Sequence, residues 1–396
     1  MNAQQFKKEV TVELASILQY WMSHTVDETN GGFIGRIDND NIMHPEAPKG
    51  SVLNARILWA FSAAYRTTKN KVYLQMAQRA YAYIQDHFID KEYGGVFWSV
   101  DYKGNPLDTK KQIYALAFTL YACSEYYQCT GIEEAKQTAI ALYERIQQYS
   151  YDKQGGGYWE AFARNWEPME DNRLSDKDAN EKKTMNTHLH ILEAYTNLYR
   201  ISPDEKLALH QRGLLTNFME HILNQQTGHL HLFFDENWKI KGDTISYGHD
   251  IEASWLLLEA AEVLKDTTLI TQCKKVAVKM VGAVVEGLDT DGGLWYEYEP
   301  TTAQLVRQKH WWPQAEAMIG FVNAWQISKE EKYLQYALNS WQFVKQYILD
   351  KKEGEWFWGI QEDHSIMKQE DKVGIWKCPY HNTRACMEIM KRVENF

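Results

Sequence analysis

The chain has little of what marks secreted, membrane-spanning or nucleic-acid-binding proteins. Its five cysteines, at 123, 129, 273, 378 and 386, are odd in number and form no C-x-x-C pair. That disfavours a disulfide framework or a cysteine-held metal, and reduced thiols in a cytoplasmic protein are expected. No stretch approaches the roughly 18 consecutive apolar residues of a transmembrane helix, and none of signal-peptide type follows Lys8. Basic charge is in deficit: 43 Lys and Arg against 53 Asp and Glu give a net charge of −10. With the two signs interspersed, this argues against nucleic acid and anionic membrane partners. Prolines number only eight and no Pro/Gly/Ser-rich linker interrupts the chain, so residues 1–396 read as one domain. A monomer or a weak homodimer is expected.

Aromatic residues, by contrast, are plentiful, and they recur. Gly31-Gly32-Phe33, Gly94-Gly95-Val96-Phe97-Trp98, Gly156-Gly157-Tyr158-Trp159, Gly228-His229-Leu230, Gly292-Gly293-Leu294-Trp295 and Gly354-Glu355-Trp356-Phe357-Trp358 punctuate a helical sequence. Their first glycines are 63, 62, 72, 64 and 62 residues apart. Each interval holds two helices and a hairpin, and a helix pair cannot bury its apolar faces alone. Apolar periodicity marks helices near 4–23, 51–66, 71–88, 109–128, 132–148, 184–200, 204–223, 249–264, 267–286, 313–327, 331–348 and 379–392. Six pairs predict an all-α (α/α)6 barrel, with short β-hairpins over one mouth. The fifteen tryptophans serve mainly as core, and their excess suits a carbohydrate pocket.

The more apolar helix of each pair belongs to the inner ring. Each of these starts with conspicuous polar or aromatic residues: Arg56; Tyr114; Asn186 and His190; His249 and Glu252; Trp312 and Glu316; His381. Parallel inner helices would bring them to one end of the barrel. His249 and Glu252 share a helix face, so Glu252 is expected to orient His249 or bind substrate beside it. Three histidines around a cavity suit either a metal or acid–base chemistry. The absence of an H-E-x-x-H pattern favours the latter, with no metal. Helix N-termini favour an anion and disfavour imidazolium, which suits proton abstraction next to a carbonyl through an enediolate. Arg56 would hold the enolate oxygen or close the ring through a salt bridge.

Four strings carry a resemblance: Leu174-Ser175-Asp176-Lys177-Asp178 through Met185-Asn186-Thr187-His188-Leu189-His190; Tyr247-Gly248-His249-Asp250-Ile251-Glu252-Ala253-Ser254-Trp255; Trp311-Trp312-Pro313-Gln314-Ala315-Glu316-Ala317; and Trp376-Lys377-Cys378-Pro379-Tyr380-His381. The chain resembles the N-acylglucosamine 2-epimerase family, and within it the cellobiose 2-epimerases. The resemblance implies an (α/α)6 barrel working without a metal or redox cofactor on a reducing sugar: cellobiose, lactose or mannobiose. It makes His249 and His381 the acid–base pair, assisted by His190 and Glu252. Arg56, Tyr114, Asp178 and Asn186 would contact the open-chain sugar, Trp311, Trp312 and Trp376 would form aromatic walls, and Glu316 would bond sugar hydroxyls. An N-acylglucosamine epimerase or a mannose isomerase is the nearest alternative. A glycoside hydrolase drawing on Asp178, Asp250, Glu252, Glu297 and Glu316 is the remote one.

Overall fold

The computed structural model of the chain describes residues 1–393, so the last three residues of the expected 1–396 domain lie outside the described residues. Twelve α-helices, numbered in chain order and counted among the described residues, form two concentric rings. The inner ring is α2 (Ser51–Thr68), α4 (Ile113–Thr130), α6 (Met185–Ile201), α8 (Tyr247–Leu264), α10 (Trp311–Ser328) and α12 (Tyr380–Arg392). The outer ring is α1 (Ala3–His24), α3 (Lys71–Tyr83), α5 (Glu133–Arg145), α7 (Glu205–Asn217), α9 (Thr267–Val284) and α11 (Glu331–Phe343). Each inner helix packs on the next, and α12 returns to α2, which closes the ring. This is the (α/α)6 barrel expected from the repeat.

Burial follows from composition. In α4 every residue from Ile113 to Tyr126 is buried, a pattern that only a helix enclosed on all sides tolerates. In α3 the buried residues Tyr73, Ala77, Ala80, Tyr81 and Tyr83 form one stripe. The helix ends depart from expectation in two ways. Four outer helices close in a five-residue π-helical turn, Ile84–Phe88, Ile146–Ser150, Phe218–Ile222 and Val344–Ile348. After each, the chain bridges across the glycine mark: Ile89 to Val96, Tyr151 to Tyr158, Leu223 to Leu230 and Leu349 to Trp356. The helix expected from residue 109 starts at Ile113, because Lys111–Gln112 is extended and pairs with Ala161–Phe162.

That pairing is one of a set. The two residues before an inner helix pair antiparallel with the segment after the next glycine mark: Lys49–Gly50 with Ser99–Val100, Lys183–Thr184 with Phe233–Phe234, Ile245–Ser246 with Tyr298–Glu297, and Lys309–His310 with Gly359–Ile360. These strands stitch each repeat to its neighbour at the N-terminal mouth of the inner ring. Hairpins extend three of them, through Pro106–Asp108, Ile240–Lys241 and Gln304–Val306. The glycine marks need their glycines: Gly32 has φ +63°, and a Cβ there would meet the Tyr83 ring at 2.6 Å.

Buried ion pairs lock the stitching. Lys49 Nζ donates to Asp27 (2.8 Å), Lys111 to Asp90 (2.7 Å), Lys183 to Asp152 (2.8 Å) and Lys309 to Asp289 (2.6 Å), while Lys372 bonds Asp350. The aspartates also accept turn N–H groups, as Asp27 Oδ1 does from Thr29 and Asn30. Repeat four lacks both charges. Ile245 stands in the lysine position, and Asn224 keeps the turn through Oδ1, accepting from Gln226 and Thr227. Losing both partners together avoids an uncompensated buried charge. Lys49→Ile alone is therefore expected to cost about 3–5 kcal/mol of unfolding free energy. Lys49→Ile with Asp27→Asn, which copies repeat four, should recover most of that loss. Urea unfolding checks this, and a double variant no more stable than the single would contradict it.

Candidate active site

The inner helices present their residues to the barrel axis in layers. The second residues include Tyr114, Asn186, Trp312 and His381, and the sixth include Arg56, Phe118, His190, Glu252 and Glu316. The ninth include Trp59, Tyr121, Glu193 and Trp255. The period of 3.6 residues puts all three on one face of each helix. His249, the third residue of α8, reaches the same mouth because Gly248 leaves room beside it. A Cβ on Gly248 would lie 2.5 Å from the Trp312 ring.

At the centre lies a residue that the sequence reading missed. Arg384, buried on α12, donates through Nη2 to Glu252 (2.5 Å) and Glu316 (2.7 Å) and through Nη1 to Glu193. One guanidinium thus ties α12 to α6, α8 and α10. Glu193 Oε2 in turn bonds His190 Nδ1 (2.9 Å), and Glu316 Oε1 bonds His381 Nδ1 (2.7 Å). Since a carboxylate only accepts, Nδ1 carries the proton on both histidines, and Nε2 holds the lone pair whenever the ring is neutral. Tyr380 also donates to Glu193. Both Arg384 and Glu193 stand three residues beyond a histidine singled out in the sequence, and that spacing was their one available signal.

Electrostatics divides the roles. Burial alone would raise Glu193, but Arg384 and the His190 bond hold it down at about 2. Burial, reinforced by the charge of Glu316 and opposed by Arg384, pushes Glu252 up to about 7. Burial and the guanidinium groups of Arg56 and Arg384 keep His381 well below the ordinary imidazole range. His249 is lowered to about 3 by its enclosure in the protein and by the charge of His190. Its Nδ1 lies 2.8 Å from the Ser246 hydroxyl. Both rings therefore rest neutral near pH 7.

Several expectations need correcting. Glu252 does not orient His249: its bonded partner is Arg384, and it lies 3.9 Å from His381 Nδ1. Glu316 is fully buried, with Oε1 taken by His381 and Arg384 and Oε2 by the Trp255 N–H (3.1 Å). Neither oxygen is exposed toward a sugar hydroxyl, and Oε1 is the hydrogen-bond partner of His381. Trp311, only 2% exposed, forms no open wall; it packs on Trp358 (centroids 4.6 Å) beneath the Lys377 ammonium (5.3 Å). Arg56 makes no salt bridge among the described residues. It donates to the Tyr114 hydroxyl (2.7 Å) and lies over the Phe118 ring (4.2 Å).

The remaining residues come together at the mouth. Trp312 and Trp376 are partly exposed, Trp312 against His249 (4.7 Å) and His381 (5.6 Å), Trp376 against Trp98 (5.8 Å) and Tyr114 (6.1 Å). Asn186 Oδ1 is buried without a hydrogen-bond partner. Asp178 is half-buried, and burial raises its pKa although Ser175 donates to it through N–H (2.8 Å) and hydroxyl (2.9 Å). The hydrolase carboxylates are mostly occupied, Asp250 by the Leu230 N–H (2.8 Å) and His229 (2.7 Å). Glu252, Glu316 and His381 bring ligand atoms within 4.8 Å of one another, which would suit a divalent cation. Arg384 already supplies positive charge to both carboxylates there.

A helical barrel with polar and aromatic side chains gathered at one mouth is the setting of an enzyme site, and relatives give its class. The model of the N-acylglucosamine 2-epimerase (GlcNAc 2-epimerase) family matches residues 32–385. A cellobiose 2-epimerase of Bacteroides fragilis is 49% identical over 98% of both chains. The structure of cellobiose 2-epimerase from Bacillus thermoamylovorans B4167 is 40% identical with a TM-score of 0.93, covering 98% of this chain and 100% of that one. A sugar epimerase from a ruminal bacterium is 39% identical with a TM-score of 0.94, covering 98% and 99%. The chain belongs to the N-acylglucosamine 2-epimerase family and is an epimerase.

Arg384→Met would leave three buried carboxylates without their shared cation. It is expected to lose about 3–5 kcal/mol in urea unfolding. A loss below about 1 kcal/mol would contradict the central place given to this guanidinium.

Proposed function

We propose that the protein inverts carbon 2 of the reducing-end glucose of β-1,4-linked disaccharides, turning cellobiose into glucosyl-mannose, lactose into epilactose and, in reverse, mannobiose into mannosyl-glucose. After ring opening, a neutral imidazole removes the carbon 2 proton, and the electron pair moves onto the carbonyl to form an enediolate. Protonation from the opposite face gives the other epimer. His381, held through Nδ1–H on Glu316 with Nε2 free, is the base for the glucose configuration. His249, which also lies against Trp312, serves the opposite face. Arg56 with Tyr114 balances the developing oxyanion, while His190 and Glu252 assist proton movement. Asn186 and Asp178 hold sugar hydroxyls, and Trp312 and Trp376 stack on the rings.

The observation that carries this reading is the pair of differently held imidazoles that both lie against one partly exposed tryptophan ring. The identity to relatives named cellobiose 2-epimerase favours a disaccharide over N-acylglucosamine or free mannose. Return of the proton to carbon 1 instead of carbon 2 would give the ketose as a side product. Incubation with cellobiose, lactose and mannobiose in EDTA, followed by sugar chromatography, tests the proposal. The epimer is expected with EDTA present. Free glucose as the main product, or activity abolished by EDTA, would contradict it.

A further inference from the structure

Five inner helices are entered through a two-residue strand paired to the next repeat, whereas α12, which carries His381, is not. Among the described residues no strand lies between Ile360 and Tyr380, and the segment meets the first repeat through a single β-bridge, Ile37 to Val373, beside the Arg36–Asp371 ion pair (2.9 Å). Nor is α12 capped, since Pro379 at its N-cap offers no side-chain acceptor. Tyr380 and His381 tie the inward face of its first turn to Glu193 and Glu316, and the outward face and the entering loop need a hold of their own.

Glu355 stands where Gly32, Gly95 and Gly157 stand in other repeats. It keeps their left-handed backbone, at φ +63° against +63°, +74° and +79°. Glycine adopts this conformation freely and an L side chain only at a cost. What the side chain gains there is a set of four donors. Glu355 Oε1 accepts from the Trp356 N–H (2.8 Å), Lys377 Nζ (2.9 Å) and Asn382 Nδ2 (2.7 Å), and Oε2 accepts from the Trp21 N–H (2.5 Å). Lys377 and Asn382 lie on either side of His381 in the chain, and both are fully buried. The first of the four donors is the backbone amide of Trp356; its indole N–H donates separately to Glu13 on α1 (2.8 Å).

We propose that Glu355 is a positioning residue for His381. Its carboxylate clamps the entering loop and the first turn of α12 to the outer helix α1, the task that a paired strand performs for the other five inner helices. The clamp sets where His381 Nε2 meets carbon 2 without touching substrate. The inference rests on the catalytic reading of His381 given above.

The test uses the full chain, with activity on cellobiose scaled to the folded fraction from circular dichroism. Glu355→Gly with Lys377→Met removes both charges and returns glycine to a glycine conformation; Glu355→Gln keeps the shape. Both are expected to lower kcat by about ten- to a hundredfold with KM within about threefold, the signature of a displaced base rather than lost binding. Asn382→Ala, which deletes one hydrogen bond, should show the same split and covers the case in which the others do not fold. Wild-type kcat in any folded variant, or a loss that vanishes on scaling to folded protein, overturns the proposal. His381→Asn is the reference: if it keeps full activity, the catalytic reading of His381 fails instead.

Discussion

One buried guanidinium governs the mouth of this barrel. Arg384 reaches carboxylates on three other inner helices, and those carboxylates dictate how His190 and His381 present their rings. A single positive charge cannot neutralise three negative ones in a medium of low dielectric. The surplus is relieved unequally: Glu193 stays ionised with its pKa held at about 2, while Glu252 is pushed to about 7 by burial and by Glu316. A group poised near neutrality beside His381 is suited to take up or release a proton during turnover. Burial, with Arg56 and this same guanidinium, keeps His381 neutral. Arg384 thus contributes both to the joining of the inner helices and to the low basicity of His381.

Around this centre the repeat supplies precision. Buried lysine–aspartate pairs and two-residue strands fix where inner helices begin, so that second, sixth and ninth residues fall into common layers. The pattern is broken in repeat four, where Ile245 and Asn224 replace the ion pair, and in repeat six, where no strand enters α12 and Glu355 replaces a glycine. Those two helices carry His249 and His381. Departures from a local rule concentrate where function asks for a different geometry.

The fold was legible because its signals are local. Glycine marks at near-constant intervals and all-round apolar inner helices need no knowledge of distant contacts. The gathering of second-layer and sixth-layer residues at one mouth was legible for the same reason: helical period places them on one face. What could not be read was partner choice. Glu316 looks like a sugar ligand in sequence, and only the approach of α12 and α8 to α10 engages its oxygens with His381 and Arg384 from the one and Trp255 from the other. Glu252 lies three residues from His249 but bonds a guanidinium 132 positions away. Trp311 and Trp312 are neighbours in sequence, yet one is packed in the core and the other faces the mouth, since successive helical residues diverge by about 100°.

Proton transfer on two faces of one carbon is the central claim, and NMR in deuterium oxide tests it most directly. Wild-type enzyme should place solvent deuterium at carbon 2 of the epimerised sugar. Folded His381→Asn and His249→Asn variants should give no net epimerisation, because inversion needs a competent group on each face. Each should still exchange the carbon 2 hydrogen of the one epimer whose proton faces the remaining base. Full epimerisation by either folded variant, or product formed entirely without solvent deuterium, would contradict the account.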